Sequence, residues 1–184
     1  MNPLWLAGRA TGLVALILLS ATLVLGTLDA TRASSPRWPR FVVGAVHRSA
    51  SLLAVAFLVV HVVTAVVDTY AGIGWLETIV PFVSGYQPFA LGLGTVAIDL
   101  VLAVMVTSVL RHRLTYRWWR AVHLTSYGCW LLALVHGLLI GGADSRIDWV
   151  LAVDAACLIA VCAAVLRRGV PRTVTPSRRG ARLR

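Results

Sequence analysis

Four histidines fall inside strongly apolar stretches of this 184-residue chain: His47, His61, His123 and His136. An ionisable side chain within lipid is costly, so its presence there points to function. The spacing adds to this. His47 and His61 lie 14 residues apart in one apolar stretch, and His123 and His136 lie 13 apart in another. On a helix rising about 1.5 Å per residue, each pair spans roughly 20 Å along the axis. Neutral imidazole binds metals through either ring nitrogen. The pattern is therefore one of two ligand levels, each supplied by two helices.

The elements that must hold these residues are membrane helices. Apolar residues make up 59% of the chain and charged residues 13%, and the mean hydropathy is +0.83. A soluble domain carries roughly twice that charge, so a soluble globular enzyme and a disordered chain are both excluded. Five apolar segments stand out, at about 4–28, 41–67, 89–110, 119–141 and 147–166. Each is near the ~20 residues a helix needs to cross the hydrocarbon core. None shows the alternating polarity of a barrel strand. The expected architecture is an all-α, five-helix transmembrane bundle over residues 1–169, followed by a disordered basic tail at 170–184.

Charge sets the direction of the spans. There are 17 basic residues, all arginine, and 7 acidic ones, for a net charge of +10. The arginines cluster in alternate connections: Arg32, Arg37, Arg40 and Arg48, then Arg111, Arg113, Arg117 and Arg120, then seven over 167–184. The other two connections hold Asp68 and Glu77, and Asp144 and Asp148. The positive-inside rule then predicts an external N-terminus and a cytoplasmic C-terminus. It also explains the positive charge without nucleic acid as a partner; the partner is the lipid bilayer. The all-arginine basic set and the Ala/Val/Leu richness suggest a GC-rich coding sequence and, with it, a multi-pass protein of a bacterial cytoplasmic membrane. The first helix lacks a basic region before its apolar run, which argues against a cleaved signal.

This topology makes helices 2 and 4 co-directional. His47 and His123 become level near the cytoplasmic side, and His61 and His136 near the outer side. Two stacked hemes, each clamped between two imidazoles, suit that arrangement. They would carry single electrons across an insulating layer. Zinc wants four ligands around one ion, which two levels ~20 Å apart do not supply. One detail sits awkwardly: 14 residues return a helix to within about 40° of the same face, whereas 13 residues do not.

The motifs His47-x13-His61 and His123-x12-His136, on helices separated by one span, resemble the ferric reductase-like transmembrane domain family. That family includes the membrane part of the NADPH oxidases and the heme-binding subunit of the periplasmic methionine sulfoxide reductase. The resemblance covers about residues 4–166. It implies two heme b groups, with His47 and His123 as axial ligands of the inner iron and His61 and His136 as those of the outer iron. The usual core of the family has six spans, and this chain reads as five. No flavin or nicotinamide site is read in these 184 residues. A cytoplasmic flavoprotein or a quinol is then the expected donor, and an extracytoplasmic molecule the acceptor. The expected activity is that of a transmembrane electron-transfer subunit of oxidoreductase type. One alternative is a heme-binding anchor feeding a partner reductase. Another is a heme-free transporter or structural bundle.

Other residues enter as candidates. Arg9, in the outer part of helix 1, would bond either an outer heme propionate or Asp154. Trp130 lies seven residues after His123 and reads as a contact between the hemes or as a core aromatic; Phe57 is a weaker case. Asp99 sits mid-helix without an evident partner. Arg48, Arg117 and Arg120 lie near the inner level, where they would serve a propionate or simple anchoring. Trp118 and Trp119 read as an interfacial aromatic belt, and His112 as solvated. Cys129, Cys157 and Cys162 form no CxxC pair and read as small buried hydrophobes. Gly92 and Gly94 read as points of close helix packing.

Overall fold

A computed structural model describes residues 3–31, 39–142 and 147–169. The predicted tail at 170–184, together with Arg32, Arg37, Asp144 and Arg146, lies outside the described residues. Within them the chain is helical, with five helices long and apolar enough to cross a membrane: α1 (Pro3–Ala30), α2 (Arg40–Val67), α3 (Pro88–Val109), α4 (Tyr116–Ile140) and α5 (Asp148–Gly169). A short 3-10 turn at Arg111–Arg113 joins α3 to α4.

The helix ends follow local chemistry. Pro88 opens α3, where a missing N–H costs nothing. Asp148 sits in the first turn of α5, and Arg167 and Arg168 in its last, each favourable to the helix dipole. Several hydroxyls inside the spans are satisfied by their own helices. Thr11 donates to the Ala7 carbonyl at 2.7 Å, and Thr107 to the Ala103 carbonyl at 2.7 Å. Such back-bonding is what lipid demands of a polar group. α4 begins at Tyr116, three residues before the apolar run alone implies. Polarity ends a hydrophobic segment, but it does not end a helix.

α1 packs along α2, and α3 along α4, while α4 and α5 both lean on α1. α2 and α4 run in the same direction and share little backbone contact. What meets between them is side chains. The tightest apolar core forms where α1, α4 and α5 converge, around Leu16, Leu23, Trp130, Leu134, Cys157 and Val161. Trp130 is sealed there, and its Nε1–H donates to the Ser20 hydroxyl at 2.8 Å.

The long connection after α2 folds back on the start of α3. The Thr95 hydroxyl donates to the Glu77 carbonyl at 2.8 Å. The Phe82 ring lies so close to Gly92 that a Cβ there would overlap it. Phe82 adopts a φ of 67° to make that contact. Most of the described arginines gather at one end of the bundle (Arg40, Arg111, Arg113, Arg117, Arg120, Arg167 and Arg168), and Asp68, Glu77 and Asp148 at the other; the exceptions are on α1, with Arg9 at the acidic end and Asp29 at the arginine-rich one.

Candidate functional site

α2 turns both of its histidines toward α1. His61 Nδ1 lies 2.7 Å from the Gly8 carbonyl oxygen, and His47 Nδ1 lies 3.0 Å from that of Thr22. A carbonyl only accepts, so each Nδ1 carries the proton and each Nε2 keeps its lone pair. Four residues beyond each acceptor stands a glycine. A Cβ on Gly12 would come within 2.9 Å of the His61 ring, and one on Gly26 within 3.3 Å of the His47 ring. The two acceptors are 14 residues apart, and so are the two glycines. α1 thus repeats with the same step as the histidines it supports.

α3 offers the same setting to His136. Its Nδ1 lies 2.7 Å from the Ala90 carbonyl oxygen, and a Cβ on Gly94, again four residues on, would stand 2.7 Å from the ring. His123 is different. Its Nδ1 is buried without a hydrogen-bond partner. Its ring stacks on Trp119, with centroids 4.9 Å apart and planes 21° from parallel.

The four rings meet in two pairs. His47 and His123 have centroids 6.5 Å apart, at 57° to each other. His61 and His136 have centroids 6.4 Å apart, at 81°. The first pair lies toward the arginine-rich end and the second toward the acidic end. Among the described residues, no cluster of three or more His, Cys, Asp or Glu could hold a metal ion. Each level therefore offers two imidazole nitrogens and no further protein ligand of those types.

A cavity of about 390 Å³ surrounds the His61–His136 pair. Its walls are mostly apolar, and Arg9 and Asp154 bring the two charged side chains. No ion pair joins these two. The Arg9 guanidinium instead stands over the Trp5 ring, 5.7 Å from its centroid. Trp130 contributes to the core behind α4 and is not part of the cavity wall. Asp99 is exposed on α3, as are Arg48 and His112 on their segments, and Phe57 is half-buried. Cys129 and Cys157 are buried, and Cys162 is exposed on α5.

The belt reading of the two tryptophans separates on inspection. Trp118 is 70% exposed, but Trp119 turns inward onto His123. Sequence reasoning also missed Gly12 and Gly26, whose spacing repeats that of His47 and His61.

The fold is an all-helical bundle of membrane-spanning helices with two levels of paired histidines between co-directional helices. The family described as "Ferric reductase like transmembrane component" matches residues 11–134, and the chain belongs to that family. The match takes in His47, His61 and His123 and stops two residues short of His136. Membership points to a role in transmembrane electron transfer. Neither a curated protein nor a solved structure matches the chain.

Proposed function

We propose that the chain is a diheme b-type cytochrome that passes single electrons from a cytoplasmic donor to an acceptor on the other side of the membrane. The observation that carries this reading is the separation of the paired rings. A metal–imidazole bond is about 2 Å long, and the ring centre lies about 1 Å further, so two imidazoles on opposite sides of one ion have centroids about 6 Å apart. Both pairs, at 6.5 and 6.4 Å, meet that requirement. Two protein ligands per ion fit a group whose own macrocycle supplies the rest.

On this reading His47 and His123 hold the inner heme, and His61 and His136 the outer one. Heme supplies a one-electron iron couple at each level. The chain supplies orientation and electrostatics. The Gly8, Thr22 and Ala90 carbonyls fix three rings with Nε2 free to bind, and an Nδ1–H bond of this kind raises ligand basicity. The glycines leave room for the ring edges. Arg9 offers a cation to a carboxylate at the outer level. Apolar walls keep water from the couple. The arginine-rich end faces the cytoplasm by the positive-inside rule. A flavoprotein or quinol would deliver electrons there, and family members work with separate donors.

The test is a reduced-minus-oxidised spectrum with a pyridine hemochrome assay on the purified chain. Two b-type hemes per polypeptide are expected. Protein expressed with ample heme that shows no b-type absorption overturns the reading.

A further inference from the structure

Among the described residues, His123 is the one of the four rings whose Nδ1 finds no acceptor. The helical step explains why. Thirteen residues leave two side chains on an ideal helix about 140° apart. His136 faces the α3 backbone, so His123 on the same helix cannot face it in the same way. In α2 the 14-residue step keeps both rings toward α1, within about 40° of each other.

What backs His123 comes from its own helix. Trp119 lies one turn earlier, where side chains four apart are neighbours, and it stacks nearly parallel to the imidazole at 4.9 Å. The Arg111 guanidinium, from the turn before α4, stands over the Trp119 ring 4.4 Å from its centroid. A cation at that distance from an indole is attracted to the ring. Tyr116 adds a further ring contact at 6.0 Å. The Trp119 Nε1 is itself buried without a partner, so stacking, not hydrogen bonding, holds the indole.

We infer that Trp119, held by Arg111, is the positioning residue of the His47–His123 pair, replacing by stacking the backbone acceptor that orients each of the other three rings. The inference rests on the diheme reading and deepens it. An imidazole whose Nδ1–H is bonded is the more basic and better oriented ligand. His123 lacks that bond and lies near the Arg111 charge. The iron it serves is therefore the more loosely held of the two, and its ring plane depends on Trp119.

The full-length, heme-loaded protein tests this, with Trp119→Leu and Trp119→Phe compared. Low-spin ferric iron between two imidazoles gives an electron paramagnetic resonance signal sensitive to the ring planes. Trp119→Leu is expected to move or broaden one of the two signals and to speed release of that heme to an apo-globin scavenger about tenfold or more. Trp119→Phe should restore both. Arg111→Gln should move the same signal in the same direction by less. Wild-type signals and release rates in Trp119→Leu, or equal changes at both hemes, overturn the inference.

A second readout needs no heme. In unloaded protein the indole ring current should shift the His123 ring resonances, and Trp119→Leu should abolish that shift. A chain with two hemes but no such shift loses this inference alone. A chain with the shift but no heme loses the functional reading, and the ligand role with it.

Discussion

Gly94 and His136 fit together so closely that a single added methyl group would stand 2.7 Å from the imidazole. Carbon atoms settle at about 3.5–4.0 Å, so the ring and the methyl cannot both keep their places. Gly94→Ala is expected to displace His136 and remove one of the two hemes while sparing the other. The same change at Gly12 meets the His61 ring at 2.9 Å, and at Gly26 it meets the His47 ring at 3.3 Å. Heme loss should therefore fall in the order Gly94→Ala, Gly12→Ala, Gly26→Ala. Hemochrome stoichiometry of the three purified variants checks the order, and equal retention in all three would contradict the cradles.

The two levels share no ligand, so they should empty independently. His61→Ala is expected to remove about half of the bound heme and to leave the His47–His123 signal intact. The readout is the reduced difference spectrum at matched protein concentration. A variant that folds normally but loses both hemes would show the two sites to be coupled.

Much of this arrangement was legible in the residue order. Each span is an apolar run of the necessary length, and α2 and α4, with one span between them, must run parallel. Two spacings of 14 and 13 then bring the four rings to two levels. What holds the rings was not legible. Gly12 and Gly26 carry the same 14-residue step as His47 and His61, but the match acquires meaning only once α1 is known to lie along α2. Trp118 and Trp119 are identical in type and adjacent in sequence. A rotation of about 100° per residue sends one outward and the other onto His123, and hydropathy contains no such angle. The connection at 68–87 is a similar case, since its seat on Gly92 depends on a left-handed φ at Phe82 that residue types do not announce.

The Trp130–Ser20 hydrogen bond joins α4 to α1 inside the core, away from the ring pairs. Ser20→Ala would leave a buried indole N–H without an acceptor, at a cost of about 1–3 kcal/mol. The expected result is a lower unfolding temperature in detergent, with heme stoichiometry still at two. Trp130→Phe removes the donor along with some volume, and combined with Ser20→Ala it should cost less than the two single changes added together. Additive losses would mean that the bond contributes nothing.

Arg9 is a cation on the wall of an apolar cavity beside the His61–His136 pair, without an ion pair to the nearby Asp154. Ferric heme carries one more positive charge than ferrous heme, so a neighbouring cation favours the reduced state. Replacing it by a neutral side chain should lower the midpoint potential of the outer heme. For a charge ~10 Å away at an effective dielectric of ~20, Coulomb's law gives a change of order 1 kcal/mol. Arg9→Gln is thus expected to shift one component of a spectroelectrochemical titration downward and to leave the other in place. Arg9→Lys, which keeps the charge, should shift it less. If Arg9→Gln moves neither component, the cation acts elsewhere; if it moves both equally, the two irons lie closer in depth than the 14-residue step between His47 and His61 allows.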